Sequence, residues 1–276
     1  VDYFTATQAN IAAGSHVMMV PNDMLISASK ARQELGPALQ QAEMELSNGK
    51  CAEEIPLFRV FIKLLVEYEK GPDSAWYPYL NAMPRFFNNG AAMTFACFDV
   101  LPVYSAWLAI SERINLVNFE KAAQFVPLLG DETKANHKLL KWAYCVAATR
   151  ALNLQGDKVL APLADMFNHG STETEVDIQY DDQGNVMVYA TRDVPGGSPL
   201  RMSLGDPTNP SPLFAKYGFL DESSPATFCK AMKLQTEMEQ LDYTFSDLLF
   251  YKNGDISPAV YDVFLYAALR NDPESQ

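Results

Sequence analysis

The sequence predicts an α+β protein, and three observations carry that reading. Short apolar or alternating runs, bounded by glycine and proline, sit near the N-terminus and again between residues 155 and 220. Between them, residues 28–152 place apolar side chains at three- and four-residue spacing, the period of helices with one buried face. The tail from Thr227 to Gln276 returns to helical spacing. At 276 residues, 48% apolar and 20% charged, the chain has the composition of a soluble globular protein with enough length for a sizeable core.

The elements follow in order. Phe4 to Gln8 reads as a strand, Asn10 to Gly14 as a turn, and His16-Val17-Met18-Met19-Val20 as a second strand ending at Pro21. Leu57, Val60, Phe61, Leu64, Leu65 and Tyr68 mark an amphipathic helix that stops at Gly71. A tight aromatic segment follows, Ser74-Ala75-Trp76-Tyr77-Pro78-Tyr79-Leu80, of the kind that usually packs in a core. Phe86 to Gly90 breaks the chain before further helices over Val103–Phe125. The next helix is expected from Asp131 to about Ala151. Its Leu139, Ala143, Val146 and Arg150 recur on one stripe, so an arginine lies on an apolar face. A guanidinium there needs an anion or several acceptors, or must snorkel from the last turn onto carbonyls.

The run Lys158 to Gly170, KVLAPLADMFNHG, is the most informative stretch. Val159, Leu160, Ala161 and Leu163 read as a buried strand stopped by Pro162. Asn168-His169 then offers two directional polar side chains where the interior opens outward. The same pair would also serve as a turn cap and a satisfied core histidine. Thr174–Tyr180 and Asn185–Thr191 alternate apolar with polar around a glycine turn, which is a β-hairpin. In the tail, Pro258–Leu269 is expected to be a helix with Val260, Val263, Phe264 and Ala267 on its apolar face.

Composition narrows the function classes. A net charge of −13 argues against nucleic acid and for a basic peptide or protein as partner. Cys51, Cys97, Cys145 and Cys229 show no close pairing, which fits free thiols in a reducing compartment. With only His16, His137 and His169 the chain offers no zinc cluster, so no metal is expected. The apolar stretch Met93–Ile110 is interrupted by Asp99 and Pro102, so no membrane span is expected, nor a signal peptide.

The motifs together resemble the SET-domain protein methyltransferases of the Rubisco large-subunit lysine methyltransferase type. PLADMFNH is similar to that branch's PLADMxNH, and Ser74 to Pro84 to its SxWxPYLxxLP. Thr149-Arg150-Ala151-Leu152 resembles S/T-R-x-F. Ala6, Ile11, Gly14, Val20, Pro21, Leu25 and Ser27 match the opening strand pair, and Asp193, Val194, Gly197, Gly205, Leu213 and Tyr217-Gly218-Phe219 match the closing block. The resemblance implies a β-rich SET core with a pseudoknot over residues 1–27 and 153–225. It also implies a helical insert over 28–152 and an incomplete C-terminal helical segment, the start of a substrate-binding domain, over 226–276.

It implies, further, transfer of a methyl group from S-adenosylmethionine to a protein lysine, with a plastid location, or otherwise a cytoplasmic one. Arg150, Asn168 and His169 would hold the cofactor, Tyr217 would act at the transfer centre, and Asp165, Leu152 and Leu204 would line the lysine channel. The branch's GxG is not seen, only Val1-Asp2-Tyr3 standing where it would fall, and the chain departs from the pattern at Ser198-Pro199. It departs again at Leu204 in place of a tyrosine, and at Asn209-Pro210-Ser211-Pro212. Those departures imply the alternative, a catalytically silent SET-like subunit of a larger protein assembly.

Overall fold

The structure, a computed structural model, describes residues 4–228 and 230–270. The Val1-Asp2-Tyr3 departure, Cys229 and the end of the C-terminal segment lie outside the described residues.

Strand β1 (His16–Val20) and the two-residue β2 (Ile26–Ser27) open the chain. Helix α1 (Ala28–Asn48) begins where the Ser27 side chain accepts the Lys30 N–H, one of the donors a helix start leaves unpaired. Helices α2 (Ile55–Glu69), α3 (Tyr77–Ala82), α4 (Phe95–Val100), α5 (Val103–Ala123), α6 (Asp131–Ala135) and α7 (His137–Arg150) follow without an intervening strand. Then come β3 (Leu152–Leu154), β4 (Asp157–Leu160), β5 (Asn168–His169), β6 (Val176–Tyr180), β7 (Val186–Ala190) and β8 (Arg201–Met202). Helix α8 (Pro210–Tyr217), β9 (Ala226–Phe228), α9 (Gln235–Gln240), β10 (Leu249–Tyr251) and α10 (Pro258–Leu269) complete it.

The strands make small sheets rather than one large one. β1 pairs with β7, which pairs with β6; β2 pairs with β4, which pairs with β3; all are antiparallel. β5 and β8 run parallel, and β9 pairs with β10. The first and last strands of the β1-β7-β6 sheet are far apart in sequence, so the whole helical segment is spliced between strands that share a sheet face.

The largest core lies among α1, α2, α5 and α7. Phe58, Phe61, Phe119 and Tyr144 meet there with ring centroids 5.2–5.8 Å apart, edge-on or tilted, the arrangement that aromatic quadrupoles favour. Charge enters this core only when paired. Buried Lys63 lies 2.7 Å from both Glu34 and Glu67, and Glu67 also accepts from Ser74. A second core of Val159, Ala161, Phe167, Ile178, Val186 and Val188 sits between the small sheets.

Several expectations are corrected. Phe4–Gln8 is not a strand: Ala6 and Ile11 make isolated bridges to Pro199 and Val194, and Phe4 is 63% exposed. The helix expected over 131–151 is two helices, because the Asn136 side chain caps Leu139 N–H and starts a new one. The strand at Val159 ends at Leu160, and Leu163 leaves it at φ +72°, 60% exposed, before a single 3-10 turn over Ala164–Met166. The C-terminal segment is not purely helical, since β9 and β10 pair within it. On α10 the buried positions are Ala259, Val260 and Val263, while Phe264 is 53% exposed. Among the described residues, no helix is long and apolar enough to cross a membrane.

Candidate functional site

The site is built where β5 and β8 run side by side. Asn168 stands opposite Arg201 and His169 opposite Met202. Gly170 continues the contact, its N–H donating to Met202 C=O at 2.9 Å. A Cβ on Gly170 would lie 2.4 Å from the Glu173 carbonyl oxygen, so only glycine lets these backbones close. The crossing is clamped by Glu175, whose side chain is 3% exposed. Its carboxylate accepts from Arg201 N–H, Nε and Nη2 at 2.8–3.0 Å, and Arg192 adds a further bond. Burial works to raise this carboxyl's pKa, but the two arginines outweigh it and hold the value below the usual range.

His169 is enclosed by the chain that follows. Its Nδ1 accepts the Leu204 N–H at 3.1 Å, and its Nε2 lies 3.2 Å from the Asp221 carboxylate. An accepting Nδ1 places the ring proton on Nε2, facing Asp221. Burial pushes the imidazole pKa down, and Asp221 restores only part of it, so the ring is neutral at neutral pH. Nδ1 is therefore committed to the protein, while Nε2 has Ser171 Oγ at 3.5 Å and lies near Asp221 Oδ2, which makes no hydrogen bond among the described residues. Phe219 lies 5.8 Å from the imidazole, ring to ring, and Tyr217 lies 6.0 Å from Phe219.

Tyr217 is the last residue of α8, and Gly218 caps that helix in the left-handed region at φ +84°. A Cβ on Gly218 would meet the Asn88 carbonyl carbon at 2.8 Å. The Asn89 side chain donates to Lys216 C=O at 3.0 Å, and Gly90 N–H to Ala215 C=O at 2.7 Å, so the aperiodic segment before α4 positions the tyrosine. Burial, with a smaller contribution from Glu112, pushes the phenol of Tyr217 up to about 12. It is a neutral hydrogen-bonding group throughout the physiological range.

Arg150 and Asp165 form the other side. Arg150 Nη1 donates to the Asp165 backbone carbonyl at 3.1 Å, three residues before Asn168. The Asp165 side chain is buried; one oxygen accepts the Tyr79 O–H, and the other, Oδ1, has no hydrogen-bond partner among the described residues. Burial raises this carboxyl to about 6 against the lowering effects of Tyr79 and Arg150. Tyr79 is raised well above its ordinary value by its own burial and by Asp165.

Three separate segments thus bring Arg150, the turn at Asp165, the Asn168-His169 strand and Tyr217 into one region. Asn168 is exposed at the start of β5. Leu204 is half-buried, and what it gives His169 is its backbone N–H. Leu152 on β3 packs against the second core. Reading the sequence passed over Asp221 and treated Tyr79 as plain core. Asp221 stands two residues after Phe219, with Leu220 between, and that proximity to Tyr217-Gly218-Phe219 is its only local signal. Chemically the region offers one arginine fork, a neutral imidazole, a neutral phenol and a carboxyl that titrates near pH 6.

No protein-family model matches the chain. SET domain-containing protein 4 of Artemia parthenogenetica is 22% identical over 235 residues, covering 80% of this chain and 56% of that protein. Ribosomal lysine N-methyltransferase set10 of Schizosaccharomyces pombe is 24% identical over 231 residues, with coverage of 81% and 40%. SET domain-containing protein 4 of Homo sapiens is 21% identical over 238 residues, with coverage of 79% and 52%. The chain spans about half the length of the curated relatives it matches. Two solved structures, the SET domain of LSMT bound to lysine and AdoHcy and Rubisco LSMT bound to AdoMet, each superpose with a TM-score of 0.63 at 16% identity. They cover 99% of this chain, and 68% and 67% of theirs. The chain has the SET fold of the Rubisco LSMT type.

Proposed function

We propose that this SET-fold chain transfers a methyl group from S-adenosylmethionine to a lysine side chain of a protein. The observation that carries the reading is the convergence of Arg150, Asn168-His169 and Tyr217, from three different elements, around the β5–β8 crossing. The donor set fits the cofactor. Arg150 places one guanidinium N–H on the Asp165 carbonyl, and a five-donor fork keeps capacity for a carboxylate such as that of the methionine moiety. Asn168, exposed at the start of β5, would supply polar contacts beside it. His169, with Nδ1 engaged by the Leu204 N–H, would hold β5 and the Leu204 loop in place beside the cofactor.

The cofactor supplies an activated methyl group when bound; the chain must present a neutral amine in line with it. Burial around Tyr217 disfavours charge on an amine placed there and lowers a lysine's pKa toward the reactive free base, whereas Asp165, a carboxylate above about pH 6, pulls the other way. Tyr217, neutral and fixed by Gly218 and Asn89, would orient the reacting groups, and the open Asp165 Oδ1 would accept from the entering amine. Leu204 and Leu152 would form apolar walls of the channel.

The related structures and the relative named as a lysine methyltransferase support this reading. The silent-subunit alternative is favoured by Leu204, which brings apolar bulk and no hydroxyl. Pro210 and Pro212 do not add to it, because they fall in the first turn of α8, where a missing N–H costs no helix bond. Calorimetric titration with S-adenosylmethionine separates the two: saturable binding is expected, and none would leave the silent reading. If the chain turns over, Tyr217→Phe should lower kcat about a hundredfold while leaving cofactor affinity nearly intact. Equal losses in both would assign Tyr217 to packing.

A further inference from the structure

Away from this region, three aromatic rings surround one lysine. Lys230 Nζ lies 4.9 Å from the ring centroid of Tyr104, 5.3 Å from Phe245 and 5.7 Å from Trp107. Tyr104 and Trp107 are one turn apart on α5, their rings stacked at 6.2 Å and 19°. Phe245 comes from a short 3-10 turn ahead of β10, so the cup joins the helical segment to the C-terminal one. Among the described residues, neither a carboxylate nor a carbonyl pairs with the Lys230 ammonium, and Trp107 is 58% exposed at the rim. Ser105, between the two α5 rings in sequence, reaches Ser211 at the start of α8 (3.2 Å). The cup therefore sits toward the opposite end of α8 from Tyr217, about 9 Å along the helix axis from Ser211 to Tyr217.

An ammonium suits such a cup poorly. It is a compact, strongly hydrated charge with three N–H donors, and ring faces satisfy none of them well. Mono- or dimethylation leaves at least one donor that still needs an acceptor. A trimethylated nitrogen has no donor, is weakly hydrated, and spreads its charge over methyl groups that can contact all three faces at once. We propose that Tyr104, Trp107 and Phe245 form a binding site for a trimethylammonium group, which Lys230 occupies as an internal cation that a better ligand displaces. The group can come from trimethyllysine in a polypeptide or from a small quaternary amine such as choline. Neither source depends on the methyl-transfer reading above.

The test uses the whole chain and saturation-transfer NMR on the ligand's methyl protons. The probes are Nα-acetyl-trimethyllysine methylamide, its unmethylated counterpart, choline, and a neutral tert-butyl isostere of trimethyllysine. Saturable binding of the trimethyl probe is expected, at least about tenfold tighter than either the lysine probe or the neutral isostere. Lys230→Ala should tighten it about tenfold by removing the competitor, and Trp107→Ala, at an exposed position, should weaken it by a similar factor. Tighter binding of the trimethyllysine probe than of choline assigns the source to a polypeptide, and the reverse assigns it to a small amine. Lack of saturable binding to Lys230→Ala, equal binding of the neutral isostere, or unchanged binding in Trp107→Ala with an unaltered melting temperature would each overturn the proposal.

Discussion

Asp165→Asn tests the electrostatics of the candidate site without requiring activity. The carboxyl is 8% exposed, and burial raises its pKa from 3.8 to about 6 despite the Tyr79 hydrogen bond and the nearby Arg150. The folded state therefore holds its proton more tightly than the unfolded chain does. Stability from this group is fully present below about pH 4 and is lost as pH rises through about 6. The rise in pKa corresponds to ~3 kcal/mol, at about 1.4 kcal/mol per pH unit. Asparagine keeps an oxygen for the Tyr79 O–H and leaves the backbone carbonyl for Arg150, but it never ionises. Its amide N–H groups take the place of the unpartnered Oδ1, a cost that does not vary with pH. Urea unfolding of both proteins at matched pH, with m unchanged, isolates the titrating part, because all other groups cancel in the difference. The variant should gain ~3 kcal/mol relative to the parent between pH 4 and pH 8, equivalent to a shift of several degrees in Tm. A difference constant across that range would refute a buried, costly carboxylate at Asp165. A difference that grows toward low pH would show that Arg150 and Tyr79 outweigh burial.

Other outcomes follow from the same contacts. Gly218→Ala should cost about 2–4 kcal/mol by thermal unfolding, since it adds left-handed strain to a 2.8 Å clash with Asn88. Gly197→Ala, at φ +85° with open space around it, should cost only about 1–2 kcal/mol, and equal losses would deny the close approach. Glu175→Ala removes the buried acceptor of the Arg201 N–H and of two part-exposed arginines that keep Glu173, and should cost about 1–3 kcal/mol; a loss under about 0.5 would mean the clamp does not hold the crossing. Leu204→Tyr returns a hydroxyl beside the loop that bonds His169, and should raise lysine methylation if the cofactor binds; no gain in a binding-competent chain would refute the assigned channel wall.

Features under short-range control could be read from the residues alone. The helical spacing of residues 57–68 and 258–269, the hairpin of β6 and β7, and the glycine after Tyr217 were legible because period, turn chemistry and capping act over a few residues. The order of the motif blocks made the SET fold legible as well, and with it the cluster around Asn168-His169.

The rest depends on long-range contact. Whether Asp165 is paired turns on Tyr79, 86 residues away, and the tautomer of His169 on Leu204, 35 residues away. The glycine at position 170 is required because the Glu173 carbonyl packs against it at the β5–β8 crossing. Leu163 could not be placed by hydropathy, since it stands exposed at a positive-φ position that apolar spacing does not reveal. Phe4–Gln8 alternates like a strand, but its pairing with residues 197–200 stops at one bridge and three backbone hydrogen bonds. Burial, pairing and desolvation are properties of where chain segments meet, and here the helices spliced between β2 and β3 set those meetings.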